Sequence, residues 1–410
     1  LVYSFKLHDG SILQKVNKMT RSHGKTKYPR LRLRWLPLLY ILSVSALFLL
    51  FRHKVQRAIT SSSTQFSINN DRSLLKPLPR LAYLISGTKG DVKRVKRLLS
   101  AVHHPRSWYL LLLDQNASDS ERLELAKFAK VDFRNVMVVG EADFITDKGP
   151  TALASTLHAV AILLEMAPNW DWFINLSASD YPLMSQDDIL HIFSYLPRDL
   201  NFIEHTSDLG WREYQRARPL VIDPGLSDAN KSSLSWAKEK RTLPFAFKLF
   251  AGSEWVVLSK QFLEFCIWGW DNLPRILLMY YTNYLSSSEG YFHTVICNHR
   301  DYQNTTVNHD LRYQKWGSSP EQRLVPLTLM NFEEMVESGA LFGRPFREDD
   351  EVLDRIDRVL LGRPDDRLWC SEEKGECSVD SVTPSVNSKR FEKLLLGLLD
   401  ADSFRFNQCK

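Results

Sequence analysis

The sequence predicts an α/β protein in which a mostly parallel sheet is flanked by helices, with a single membrane-spanning helix ahead of it. Two observations carry that prediction. From residue 81 onward, short apolar runs alternate with longer amphipathic ones, the pattern of repeated strand–helix units. Ahead of them an uncharged apolar stretch, WLPLLYILSVSALFLLF, lies between basic segments. A composition of 44% apolar and 25% charged residues over 410 positions is that of a packed globular chain, which excludes collagenous and disordered classes.

Residues 1–34 form a basic tail, with Lys6, Lys15, Lys18, Arg21, Lys25, Lys27, Arg30, Arg32 and Arg34 against the single acid Asp9. The formal charge of +5 is therefore concentrated at one end, and the remainder is slightly acidic. Nucleic-acid binding is not expected, because the basic residues sit in a tail and are not interleaved with aromatics across a folded face. Trp35 to Phe51 would span about 25 Å as a helix, short for a bilayer yet within the range of thinner early-secretory membranes. Arg52, His53, Lys54 and Arg57 follow it where a cleaved leader would show small residues, so the segment reads as a signal anchor. More Lys and Arg precede the span than follow it, which predicts a cytosolic N-terminus and type II topology. Residues 52–79 are rich in Ser, Thr and Asn and read as a stem, leaving 80–410 as the lumenal domain.

Within that domain, LAYLIS (81–86), WYLLLLD (108–114), VMVVG (136–140) and WFINLSASD (172–180) are predicted strands. Each is followed by a predicted helix, the last being QDDILHIFSYL. In open sheets of this kind ligands bind beyond the carboxyl ends of the strands. The residues to inspect are thus Ser86 and Gly87, Asp114, Glu141 to Asp147, and Ser177 to Asp180. Farther on, EWVVLS (254–259) reads as a strand and Phe262 to Tyr284 as aromatic helix. REDDEVLDRIDRVLL (347–361) reads as an amphipathic helix with Val352, Ile356, Val359 and Leu360 on one face.

None of the five cysteines forms a CxxC pair, and Cys370 and Cys377 are spaced to close a small disulfide loop in an oxidising compartment. Four sequons, at Asn116, Asn175, Asn230 and Asn304, fit a lumenal location. Glu289, presented by the turn-prone run LSSSEG at the start of an apolar helical segment, is a candidate general base. Asp180 is a lone acid at the sheet mouth, with Ala178 where a DxD pair would place its first carboxylate, so an obligatory divalent ion is not expected. His293, Cys297 and His299 have no recognised metal-ligand spacing.

Four ordered blocks then carry a resemblance: NWDWFINLSASDYPLMSQDDIL, LFAGSEWVVLSKQFLEF, YYTNYLSSSEGYFHTVICN and ESGALFGRPFREDDEVLDRID. From about Arg80 to Leu361 the chain resembles the plant branch of glycosyltransferase family 14. That family includes the core-2/I-branching β-1,6-N-acetylglucosaminyltransferases, and its plant members resemble β-glucuronosyltransferases of arabinogalactan proteins. The resemblance implies a GT-A-like fold, inverting transfer without an obligatory metal or other cofactor, and residence as a type II protein of the Golgi membrane. It further implies that Glu289 is the catalytic base and that Asp114 contacts the donor nucleoside. Ser86 and Gly87 fall in the first donor loop, Arg344 near the diphosphate, and Glu204 against the acceptor. Two positions depart from the family pattern, Pro345 standing in place of a lysine and Asp147 in place of an aromatic residue. The implied partners are a nucleotide sugar, UDP-glucuronic acid above all, and a glycan or glycoprotein acceptor carrying galactan chains, with the membrane engaged through the N-terminal helix. Transfer of N-acetylglucosamine or xylose, or a catalytically silent sugar-binding scaffold, are the alternatives.

Overall fold

The computed structural model describes residues 77–146, 148–167, 169–227, 233–317, 323–363 and 382–410. The basic tail, the predicted span, most of the stem, Asp147, Asn230 and the Cys370–Cys377 loop lie outside the described residues. Among the described residues no helix is long and apolar enough to cross a membrane.

The four predicted strands form as β1 (Leu81–Gly87), β2 (Trp108–Leu113), β3 (Val136–Val138) and β4 (Trp172–Ser177). Short strands follow: β5 (Tyr181–Pro182), β6 (Asn201–Phe202), β7 (His205–Thr206), β8 (Pro219–Ile222), β9 (Ser235–Lys240) and β10 (Ala251–Gly252). The last are β11 (Val257–Ser259), β12 (Thr306–Val307), β13 (Arg312–Gln314) and β14 (Phe342–Arg344). Seven of them make the central sheet in the order β12-β6-β11-β4-β1-β2-β3. β1 runs parallel to both β2 and β4, β2 to β3, and β6 to β12, whereas β11 is antiparallel to β4 and β6. The sheet is therefore mostly parallel, as expected, with one reversed strand inside it.

β1 shows why the apolar runs are continuous and do not alternate. Leu81 to Ile85 are all buried, because helices cover both faces of the sheet. Leu81, Tyr83 and Ile85 point into one core with the helix Val92–Val102, while Ala82 and Leu84 point into the other with the helix Pro150–Met166. Leu98 and Leu99 of the first helix are fully buried, each stabilising the fold by roughly 1.5–3 kcal/mol. The helix Asp119–Asp132 is started by a reciprocal capping box between Ser118 and Glu121.

Beyond residue 200 the sequence reading needs correction. The strand read at 254–259 is paired only over Val257–Ser259. The aromatic stretch divides into two helices, Lys260–Trp268 and Leu273–Tyr281, with Pro274 in the first turn of the second. In the helix Glu351–Val359, Val352, Leu353 and Ile356 are buried, but Val359 is 61% exposed and does not belong to the packed face. The fold does not close there, since the helices Val386–Leu398 and Ala401–Asn407 follow. A disulfide between Cys297 and Cys409, which the spacing did not reveal, fastens the C-terminus to the helix Tyr291–Asn298.

Candidate active site

Ser86 ends β1 with Leu112 of β2 on one side and Ser177 of β4 on the other, so its place at the carboxyl edge of the sheet is fixed by register. A pocket opens there, holding about 670 Å³ of empty space that is partly continuous with solvent. Its polar lining comes from Ser86, Ser155, Thr156, Asn175, Glu254 and Ser288, and Trp255 forms part of the wall. The edge is where a parallel sheet receives a ligand.

Asp114 follows β2 beside this edge, its N–H donating to the Gly87 carbonyl (3.1 Å). Its buried carboxylate accepts from the Thr88 hydroxyl (2.9 Å) and from the backbone and side-chain N–H groups of Asn116 (3.0 Å each). Gly87 is a packing residue, since a Cβ there would stand 3.0–3.2 Å from Asp91, Val95 and Leu113.

Asn175 belongs to one of the predicted sequons, but both ends of its side chain are engaged. Its amide donates to the Glu254 carbonyl and its oxygen accepts from the Val256 N–H, each at 2.9 Å. This locks the segment Glu254–Val256 against β4. Burial pushes the Glu254 carboxyl above the usual carboxylate range; Arg344 opposes that push, and the Glu289 and Asp180 carboxylates add to it. The Ser288 hydroxyl donates to Glu254 at 3.2 Å.

Glu289 closes a short 3-10 turn, Ser287–Glu289, ahead of the helix Tyr291–Asn298. Three contacts hold this turn. The Ser286 N–H donates to the Lys148 carbonyl (2.7 Å), the Glu289 N–H to the Ser286 carbonyl (3.0 Å), and the Ser287 hydroxyl bonds the carbonyls of Tyr281 and Tyr284. Gly290 is required by close approach, because a Cβ there would lie 2.7 Å from the buried Tyr281 ring. The Glu289 carboxylate accepts a hydrogen bond from Arg216, which rides on a π-helical turn, Glu213–Ala217, with Trp211 stacked on its guanidinium at 5.0 Å. That ion pair stands next to the pocket, since the neighbouring Ser288 lines it and the Glu289 charge acts on Glu254.

Arg344 ends β14, which pairs with β13 and β5 beside the pocket. Its guanidinium lies over Trp255, 3.9 Å from the ring centroid, and its Nε donates to Asp180 at 3.0 Å. Asp180 is fully buried and also accepts from the Ser177 N–H and hydroxyl, so it closes the turn behind it and anchors Arg344. Pro345 serves the backbone, its carbonyl accepting from the Leu327 N–H (2.8 Å).

Of the predicted site residues Ser86 lines the pocket, Gly87 and Asp114 adjoin it at the strand ends, and Glu289 and Arg344 stand beside the lining residues Ser288 and Trp255. Glu204 does not reach the pocket lining. It lies between β6 and β7, exposed, with its carboxyl raised by partial desolvation and by Asp310. His293, Cys297 and His299 diverge: His293 bonds the Ser253 carbonyl, Cys297 is in the disulfide, and His299 packs on Phe265. Sequence reasoning missed Glu254 and Arg216. The signal for Glu254 was a charge placed directly before an apolar strand; Arg216 sat in an irregular Arg-rich loop that had no periodicity to read.

Residues 81–336 match the Core-2/I-Branching enzyme family. The chain is 60% identical over 395 residues to β-glucuronosyltransferase GlcAT14C of Arabidopsis thaliana, covering 96% of this chain and all of that one. It is 52% identical to β-glucuronosyltransferase GlcAT14B of the same plant, over 81% of this chain and 80% of the relative. Human xylosyltransferase 2 is 30% identical over 70% of this chain and 34% of its own length. The match over most of the domain and the two plant relatives place the chain in the Core-2/I-Branching enzyme family of glycosyltransferases.

Proposed function

We propose that the protein transfers glucuronic acid from UDP-glucuronic acid to a hydroxyl of a galactan chain, with inversion at the anomeric carbon, on a GT-A-like scaffold. The observation that carries this reading is the placement of Glu289 on a short turn whose Ser288 lines a pocket at the carboxyl edge of the sheet, with the Arg344 cation lying over Trp255 of the pocket wall. The donor preference is supported by the plant relatives, which are β-glucuronosyltransferases.

In this mechanism the acceptor hydroxyl sits against Glu289, which takes its proton as the oxygen attacks C1. The C1–O bond to the diphosphate breaks, and UDP leaves with the bonding pair. Arg344 faces the departing charge. Its Nε is held by Asp180, so the anchored cation need not reorganise during the reaction. In this reading Asp114, beside Gly87, contacts the nucleoside, and Glu204, outside the pocket lining, contacts the acceptor. No metal is required by this scheme, because the buried Asp180 is already engaged with Arg344. We further place the protein in the Golgi membrane with type II topology, anchored by residues 35–51. The Cys297–Cys409 disulfide fits the oxidising lumen that this topology implies.

The test is a donor panel on the purified full-length protein with a galacto-oligosaccharide acceptor, run with and without chelator. Turnover of UDP-glucuronic acid that survives chelation is expected. Turnover only of UDP-N-acetylglucosamine or UDP-xylose would overturn the donor assignment, and none with any donor would leave a sugar-binding scaffold.

A further inference from the structure

A uronic acid donor sets the pocket an electrostatic problem that a neutral sugar does not. The pocket region already holds three carboxylates, Asp180, Glu254 and Glu289, with Arg344, Arg312 and Arg216 around them. The donor adds a diphosphate and a sugar carboxylate. On a pyranose that carboxylate is attached to C5, across the ring oxygen from C1, so it lies on the same side of the sugar as the centre that the base serves. Two like charges, the donor's and that of Glu289, would be brought within one ring of each other unless a cation sits between them.

The three arginines are not equally free to do this. Arg312 is buried beneath Trp255 and Phe342, donating to the carbonyls of Asp310 (2.8 Å) and Asn175 (2.5 Å). Arg344 is held by Asp180 and Trp255, on the side proposed for the diphosphate. Arg216 differs from both. Arg216 donates to Glu289 itself, its side chain is 13% exposed, and its guanidinium lies 5.0 Å from the centroid of the Trp211 ring. A guanidinium presents five N–H donors in a fixed fork, enough to bridge two carboxylates.

We propose that Arg216 reads the donor's carboxylate, bridging it to Glu289, and is the residue that selects a uronic acid over a neutral hexose. This rests on the glucuronosyl transfer proposed above. With no donor present, Arg216 holds Glu289 in an ion pair. When a uronic acid binds, the cation is shared between the two carboxylates, while the Glu289 Oε1 atom, which Arg216 does not engage, stays available to the acceptor hydroxyl. A neutral sugar offers no second carboxylate for the fork to bridge. The rival cation is Lys148, exposed on the loop whose carbonyl receives the Ser286 N–H.

The experiment compares kcat/KM for UDP-glucuronic acid and UDP-glucose in the purified full-length protein and in Arg216→Gln, Arg216→Lys and Lys148→Gln, with UDP binding measured by calorimetry. UDP lacks the sugar carboxylate, so its affinity should stay within about threefold in every variant and reports on folding. In Arg216→Gln the preference for the uronic acid should fall at least tenfold. Arg216→Lys should lose more with UDP-glucuronic acid than with UDP-glucose, because an ammonium has no fork with which to bridge. An unchanged preference in Arg216→Gln, equal losses for both donors in Arg216→Lys, or loss of preference in Lys148→Gln would each overturn the proposal. If Arg216→Gln does not bind UDP, the Arg216→Lys comparison decides. Failure of the wild-type protein to use UDP-glucuronic acid would refute the underlying function, a result distinct from any of these.

Discussion

Replacing Asp180 with alanine tests whether the site is built on an anchored cation. Asp180 is fully buried and Arg344 is 12% exposed, so the change leaves a nearly buried guanidinium without its counter-charge and the Ser177 N–H without its acceptor. Removing one member of a buried ion pair costs about 3–5 kcal/mol, against at most about 1 kcal/mol for an exposed pair. At about 2 °C per kcal/mol for a domain of this size, the melting temperature should fall by roughly 6–10 °C. Arg344 would also lose the group that aims it, so UDP affinity measured by calorimetry should drop at least tenfold, about 1.4 kcal/mol. The double variant with Arg344→Met removes the stranded charge and should recover part of the lost stability, giving a coupling energy of about 1–3 kcal/mol. An Asp180→Ala protein that melts within 2 °C of wild type and binds UDP unchanged would refute the reasoning, as would strict additivity in the cycle.

Three further outcomes follow from the same contacts. Gly290→Ala would drive a methyl group into the buried Tyr281 ring, so the turn carrying Glu289 must shift; kcat/KM should fall on the order of 100-fold while UDP binding is retained, and unaltered turnover would contradict the packing. Cys297→Ser should destabilise the protein by about 2–4 kcal/mol in denaturant titration, since the disulfide closes a loop of 112 residues; a midpoint equal to wild type would show that the C-terminal helices dock without it. Burial depresses His293 to about 3 and His104 to about 4, so both stay neutral in the fold while the unfolded chain takes up protons below about pH 6.5. Their stabilising contribution is therefore complete above that pH and fades as pH falls toward 4, by about 2 kcal/mol per histidine at pH 5; denaturant titrations at pH 7.5 and 5 with equal midpoints would contradict it.

The sequence made the first half of the fold legible because β1 and β2 are buried on both faces along most of their length. LAYLIS and WYLLLLD therefore read as unbroken apolar runs separated by helices with clear stripes. Most strands of the second half have two or three residues, such as β6, β7 and β10, and their pairing depends on distant partners and leaves no local period. Val359 shows the limit of a face drawn from spacing alone, for it is 61% exposed at the helix end while Leu360 and Leu361 just after it are buried. At the site, the Ser-rich turn before an apolar helix marked Glu289 only as a candidate, and the family resemblance gave it the role of base. The Asp180–Arg344 pair joins residues 164 positions apart and the Arg216–Glu289 pair 73 apart, and neither separation is encoded in a motif. Cys297 and Cys409 were visible as residues, but their partnership depends on the C-terminal helices returning to the sheet, which only tertiary packing decides.

The central claim is tested most directly by the single-turnover rate of Glu289→Gln with saturating UDP-glucuronic acid and galactan acceptor. The amide keeps the size of the side chain but cannot accept the acceptor's proton. Transfer should therefore slow by about 10²–10⁴-fold with UDP binding unchanged. Transfer at the wild-type rate would show that the proton leaves by another route and that Glu289 is not the base.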